Sequence, residues 1–353
     1  MARIANQKVL RELESRIVRR DYVRGEFLPA ERTLAEELGV GRCVIRGALA
    51  ALREAGLVYR VPGKGLCVAR HDSKTFSRVL VICPPVSAHP YEELRLIEGI
   101  SVALDKRSAE PRVVFCDDKM PYDFGRFAAL CREGSFHGVL AVEVVRTRQD
   151  FDNFRANIPL PYVLVDQECF FDGVCARVDF RSVGRMAGRR LLAAGHRDIG
   201  CISGPLSQMI YKELLAGFRG ALAEEEVYLR SDRVLEIMPS LTPESYRKIC
   251  DFLRSPERPR AIFTMRDRRA DFLYRAAGEL GIRIPQQLSV ISYDDVTWPD
   301  AAEMGLSTIS QPLEDICGAA VEMLRNYCLT NTPPESRLLE GGLLERSSIA
   351  PCR

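Results

Sequence analysis

Four histidines, at positions 71, 89, 137 and 196, lie far apart in this 353-residue chain, and none of its twelve cysteines forms a C-x-x-C pair. That spacing excludes the usual zinc frameworks, so no metal and no cofactor is expected. Cysteines scattered in this way are expected to be reduced, mostly buried thiols. No run approaches the roughly 18 apolar residues of a membrane-spanning helix. Residues 1–22 are amphipathic and charge-rich rather than a signal peptide, so a cytoplasmic protein with no membrane contact is expected. Catalytic signatures are lacking too, with no G-x-S-x-G, phosphate loop or H-E-x-x-H. The PGKG at 62–65 lacks a phosphate loop's preceding strand, its spacing and its following hydroxyl residue. No catalytic residue is expected.

What is present is an asymmetry of charge. The formal net charge of +2 conceals 14 Lys+Arg against 8 Asp+Glu in residues 1–70, and 36 against 40 in the remainder. A basic head on a mildly acidic body suits a nucleic-acid reader that carries a second domain. Within the head, Glu31 to Leu38 has helical apolar spacing and is closed by Gly39. Val40-Gly41 makes a turn. A second helix from Arg42 buries Val44, Ile45, Ala48, Leu49, Leu52 and Ala55 and stops at Gly56. Leu57–Arg60 and Leu66–Ala69 read as two strands joined by a Gly-rich turn with Lys64 at its tip. Gln7 to Arg20 reads as a preceding helix that backs this pair. Two helices and a basic hairpin suit the major groove with an adjacent phosphate contact.

The motifs LPAER, LAEELGV, Arg42-x-x-x-Arg46, ALREAGLV and PGKG, in that order, resemble the winged helix-turn-helix of GntR-type regulators. The resemblance implies DNA contacts from Arg32, Arg42, Cys43, Val44, Arg46 and the wing at Gly63, Lys64 and Gly65. Ala30 and Gly41 stand where that family usually has serine, so Ala30 supplies no side-chain cap. Cys43 and Val44 replace hydroxyl residues and would pack on a thymine methyl rather than bond a base edge.

After a polar linker at 71–77 the pattern alternates. Strands are expected at Val79–Cys83, Arg112–Cys116, Gly138–Val142, Tyr162–Val165, Ile199–Ser203, Ala261–Thr264 and Leu288–Ser292. Helices are expected at Tyr91–Ser108, Ser182–Ala194, Lys212–Glu225, Ser245–Leu253 and Arg269–Leu280. Apolar strands alternating with amphipathic helices form parallel sheets covered on both faces. The roughly 275 residues involved are long for one such sheet and natural for two. The expected fold is α/β, a winged helix-turn-helix over 1–70 and a body over 78–353 of two doubly wound parallel-sheet subdomains around a cleft. Their boundaries are expected near 166–181 and 305–312. Ligands in such sheets sit beyond the carboxyl ends of the strands.

Four stretches, VDFRSVGRMAGRRLLAAGHRDIGCISGPL, GFRGAL, RPRAIFTMRDRRADFLYRAAGELGIRIPQQLSVISYDD and STISQPLEDICGAAVEMLRNY, together with the closing LLERSSIA, resemble LacI-type regulators with a periplasmic-binding-protein-like body. A GntR-like head on such a body is the arrangement of arabinose-repressor-type regulators. The resemblance implies a ligand held by Asp294 and Asp267 at strand ends, with Tyr91 stacking on it. Asp166, Asp179 and Phe263 are further carry-overs, Gln208 replaces a polar contact, and Trp298 is a candidate for the cleft mouth. A strand-end Asp also commonly caps the next helix, and a lone Trp commonly just packs. Leu214 stands where the family often has an Arg that grips carboxylates, and Arg266 replaces the usual Asn. The missing fork at 214 points to a neutral or unusual ligand.

These readings converge on a ligand-responsive transcriptional repressor, with double-stranded operator DNA, a sugar-like effector and a second copy of the chain as partners. The alternatives are a regulator with a degenerate or non-sugar pocket and a solute-binding transport protein. The DNA-binding head counts against the latter.

Overall fold

The computed structural model describes residues 9–13, 16–17, 21–22, 25–54, 57–68, 76–85, 91–117, 122–133, 136–167, 173–238, 242–295 and 304–352. Trp298, the linker at 71–75 and the side chain of Tyr91 lie outside them. The chain divides into two compact units, residues 1–176 with 314–337 and residues 177–313 with 338–353.

The head opens the first unit. Helix α1 (Glu31–Leu38) starts at Ala30, which makes no side-chain cap bond, and ends at Gly39 in the left-handed conformation. Helix α2 (Arg42–Glu54) follows. Leu13, Leu34, Ile45, Ala48 and Leu52 are wholly buried and form its core with the strand residues Val58 and Val68. Strands β1 (Val58–Val61) and β2 (Gly65–Val68) pair antiparallel. Phe27 adds a bridge to Cys67 that widens this ribbon.

The rest of the first unit is a six-stranded sheet of β3 (Arg78–Cys83), β4 (Glu110–Phe115), β5 (Gly138–Val142), β6 (Tyr162–Val165), β7 (Cys175–Val178) and β13 (Arg337–Leu339). Its order is β13-β7-β6-β5-β3-β4, and the pairs from β7 through to β4 are parallel. Every residue of β5 is buried, as a strand covered on both faces requires. Strand β4 lies at the edge, is largely exposed and contains Pro111, which cannot donate to a ladder. Helices α3 (Tyr91–Asp105), α4 (Gly125–Glu133) and α5 (Arg148–Asn157) alternate with its strands, and Phe124, Phe127, Phe151 and Phe154 fill the core on one side of the sheet.

The second unit repeats the plan with β8 (Ile199–Ser203), β9 (Val234–Glu236), β10 (Ala261–Thr264), β11 (Ser289–Asp294), β12 (Ser307–Ser310) and β14 (Gly342–Leu344), in the order β14-β12-β11-β10-β8-β9. Only the β12–β14 pair is antiparallel. Helices α6 (Phe180–Ala193) and α7 (Met209–Glu224) cover part of it. They cross with backbones nearly touching, because a Cβ on Gly184 would lie 2.0 Å from the Leu214 carbonyl oxygen and one on Gly217 1.9 Å from that of Arg181.

Five expected elements have the observed bounds: α1, β5, β6, β8 and β10. Four helices begin two or three residues before their expected starts, namely α6, α7 and the helices Pro243–Arg254 and Asp267–Glu279. Apolar periodicity registers the first buried residue, whereas a helix starts at its cap, here Asp179 for α6 and Thr242 for Pro243–Arg254. Strands β7, β9, β12, β13 and β14 were not expected, since three or four residues carry too little alternation to register.

Two features concern titratable groups. Ten of the described cysteines carry no disulfide, and burial pushes the thiols of Cys116, Cys201 and Cys317 up to about 12, which makes them inert. Cys175, however, is disulfide-bonded, which corrects the expectation of reduced thiols. A disulfide needs cysteines whose Cα atoms are about 5.5 Å apart in space, and spacing along the chain does not report that. His196 is 4% exposed with Nε2 3.0 Å from the Ala350 carbonyl oxygen, while Nδ1 has no hydrogen-bond partner. Burial lowers its pKa, the Ala350 carbonyl opposing this only in part. The neutral ring is therefore favoured in the folded state. Its contribution is complete above the unfolded value of about 6.5 and is lost as pH falls from there through the lower folded value. The melting temperature should fall as pH is taken from 7 to 5.5, and His196→Gln should flatten that fall. An unchanged slope in the variant would remove His196 as its cause.

Candidate nucleic-acid interface and ligand site

The head presents a groove of about 530 Å³ between α2 and the wing, into which Arg46, Arg53, Arg60 and Lys64 reach, with Glu31 on its rim. Arg42, Cys43 and Arg46 are exposed on the outer face of α2. Val44 is not. It is half-buried and packs on the head core beside Ile45 and Ala48, because the helical period turns position 44 inward. Arg46 Nε donates to Glu31 Oε2 at 2.9 Å, and that bond raises the guanidinium's pKa. Both partners are well exposed, so the pair holds the guanidinium in place and is easily opened. Arg32 stands 3.7 Å from Glu36 one helical turn on.

Arg53 and Arg60 were missed in the sequence. Arg53 lies seven residues after Arg46 and therefore on the same helical face, a signal that was available. Arg60 enters the groove through the wing register that sets it opposite Leu66. The wing turn is closed by Lys64 N–H donating to the Val61 carbonyl at 3.1 Å. Gly63 (φ 77°) and Gly65 (φ 113°) on either side adopt left-handed backbone that a side chain would strain. The Lys64 ammonium bonds the Ala156 carbonyl at the end of helix Arg148–Asn157 and lies 6.0 Å from the Phe27 ring centroid.

Of the eight described non-glycine residues with positive φ, three follow helices and five lie at or just beyond strand ends. Glu143 and Asp166 follow β5 and β6 in the first unit. Arg266 follows β10 in the second, where Asp294 and Asp295 end and follow β11. Strain of this kind collects at ligand clamps. Asp166 is buried and its N–H donates to the Ala176 carbonyl at 3.0 Å.

Asp294, with φ 125°, closes β11. Arg266 Nη1 lies 3.2 Å from each of its carboxylate oxygens, and Gln311 Nε2 donates to Oδ1 at 3.1 Å. Asp267, the first residue of helix Asp267–Glu279, accepts from Thr308 Oγ1 at 2.8 Å and is 3% exposed. Behind them Arg269 Nη2 donates to the Tyr211 hydroxyl at 3.2 Å, and burial lowers the pKa of that guanidinium. The structure thus gathers Asp267 and Asp294 with Arg266, Arg269, Tyr211, Thr308 and Gln311, of which the last four were not singled out. Thr308 lies on β12 and Gln311 just after it, remote in sequence from Asp267, so only folding reveals them.

Three expected ligand residues lie elsewhere. Asp179 caps α6, accepting from the N–H groups of Arg181 and Ser182, so the capping alternative describes it. Phe263 is wholly buried and packs on Phe218 at 5.1 Å between centroids, because β10 is covered on both faces. Gln208 is exposed at the start of α7 and makes no capping bond. Tyr91 opens helix Tyr91–Asp105, its side chain lying outside the described residues, as Trp298 does. Among the described residues no group of three His, Cys, Asp or Glu is placed to hold a metal, and no helix is long and apolar enough to cross a membrane.

Comparison with known proteins matches two parts of the chain. Residues 5–68 match the bacterial regulatory proteins of the gntR family, and residues 189–349 match the periplasmic binding protein-like domain. The HTH-type transcriptional repressor PurR of Shigella dysenteriae is 37% identical over 169 residues, which is 47% of this chain and 49% of that protein. The chain therefore spans about half the length of the curated relatives it matches. A LacI-family regulatory protein from Chloroflexus aggregans superposes with a TM-score of 0.68 at 18% identity, over 76% of this chain and 98% of that one. The lac repressor dimer bound to operator and the anti-inducer ONPF superposes with a TM-score of 0.66 at 18% identity, over 86% of this chain and 98% of that one. These relatives are transcriptional regulators rather than enzymes. The chain thus joins a segment similar to the gntR-family regulatory proteins to one similar to the periplasmic binding protein-like domain.

Proposed function

We propose that this chain is a ligand-responsive transcriptional repressor. It acts in the cytoplasm, binds a pseudo-palindromic operator as a homodimer, and takes a small carbohydrate-like effector at the strand ends of its second sheet. The observation that carries the DNA reading is the groove lined by Arg46, Arg53, Arg60 and Lys64, with a recognition helix on one side and a wing on the other. Phosphate neutralisation by such cations gives affinity, and α2 supplies base contacts. The effector reading is supported by the strained, polar strand ends around Asp294. Control follows from population shift, the effector favouring one arrangement of the protein and so changing the spacing of two heads on two half-sites. That the lac repressor was solved as a dimer on its operator supports the same reading of this chain.

The test is fluorescence anisotropy with the full chain on a duplex selected from a random pool, repeated across salt concentrations. Lys64→Ala should weaken binding to every duplex alike and flatten the slope of log affinity against log salt by about one unit. A chain that selects no duplex overturns the proposal, and an unchanged slope removes Lys64 from the phosphate contacts.

A further inference from the structure

We propose that helix α5 of the same chain holds the wing off DNA, its C-terminal end engaging Lys64 in place of a phosphate. This rests on the reading above that the wing contacts DNA. The observation behind it is that Lys64 borders two cavities. One is the groove of about 530 Å³ beside α2, and the other is a cleft of about 960 Å³ between the wing and α5; Arg60 borders both. Across the second cleft the Lys64 ammonium donates to the Ala156 carbonyl. Helix α5 ends at Asn157, so its last four carbonyls, that of Ala156 among them, lack helical partners and form the negative end of the helix dipole. Such an acceptor attracts an ammonium as a phosphate oxygen does, though with only a partial charge.

Two further contacts seat the wing. Val58 packs in the head core, whereas Tyr59 and Val61, which alternate with the core face of β1, line the cleft. The Tyr59 hydroxyl is buried, and burial, reinforced by Cys67 and by Tyr327, pushes this phenol well above its ordinary range. Tyr327 belongs to helix Leu313–Thr330 and lines the same cleft. Nearby, a Cβ on Gly25 would lie 3.9 Å from the Pro159 ring, an ordinary van der Waals contact, so the chain entering α1 rests on the turn that follows α5. The cleft has the volume of a small-molecule pocket and cannot admit a duplex. DNA reaches the wing only once Lys64 and Tyr59 have left these partners. Docking and DNA binding are therefore alternatives, and apparent DNA affinity is reduced by the fraction of heads that are undocked.

The experiment is a double-mutant cycle on the full chain, read by fluorescence anisotropy on its selected duplex: wild type, Ala156→Glu, Lys64→Ala and the double variant. Ala156 lies outside the groove beside α2. A glutamate there gives Lys64 a carboxylate, favours the docked state and should weaken DNA binding about two- to fivefold, the range of an exposed ion pair. With Lys64→Ala the same glutamate has lost its partner and should change affinity far less. Ala156→Lys should act in the opposite direction, again only where Lys64 is present. A direct effect of charge at position 156 on the duplex would persist without Lys64, so the cycle separates the two. Hydrogen exchange of the wild type gives a second readout. Exchange across residues 156–162 should quicken when duplex is added, because the wing leaves that surface. Equal effects of Ala156→Glu with and without Lys64, none included, overturn the inference while the DNA reading stands. Exchange at 156–162 that the duplex leaves unchanged or slows does the same. A chain that selects no duplex overturns the DNA reading and the inference with it.

Discussion

Gly217→Val is expected to lower the stability of the second unit by about 3 kcal/mol or more, on the order of 10 °C in melting temperature. A Cβ at this position would lie 1.9 Å from the Arg181 carbonyl oxygen, and that neighbour is backbone, which cannot rotate away as a side chain could. Helices α6 and α7 must separate, and the interlocking contact at Gly184 against the Leu214 carbonyl opens with them. Phe218, next to Gly217, would lift from Phe263 and so from the strand that ends at Thr264, two residues before Arg266. Gly220→Ala is the control on the same helix. It meets nothing within 4 Å, and alanine there should add roughly 0.5–1 kcal/mol by helix propensity. Thermal melts of the two variants decide the matter. A Gly217→Val protein that melts with the wild type would mean that the crossing is looser than described.

Arg46→Ala is expected to lose about 1–3 kcal/mol of discrimination between operator and scrambled duplex, roughly 5- to 150-fold in relative affinity. Arg46 leaves the exposed face of α2 and is steadied by Glu31 of α1, so its guanidinium is delivered to the groove at a set angle. Affinity for scrambled duplex should change far less, because phosphate contacts from Arg53, Arg60 and Lys64 remain. Competition titrations at one fixed salt concentration report the ratio directly. A ratio equal to that of the wild type would take Arg46 off the list of base readers.

The amino-acid sequence by itself determined the elements with strong local signals. Helix α1 ends at Leu38 because Gly39 supplies a left-handed cap, and β5 and β10 are uninterrupted apolar runs because both of their faces are covered. It also placed Asp267 and Asp294 beside strand ends, since a strand that ends on a polar residue marks where the sheet stops burying its side chains. Tertiary structure alone decided what those groups do. Asp294 is closed by Arg266, 28 residues away, and by Gln311 from beyond the next strand; Asp267 is engaged by Thr308. Phe263 lies in a core built with α7, and Cys175 finds a disulfide that no cysteine spacing announces. Local signals reflect backbone preference and periodic burial within a few residues. Ion pairs, caps and backbone-to-backbone crossings depend on which distant segments the sheet order brings side by side, and neighbours in the chain carry no record of that order.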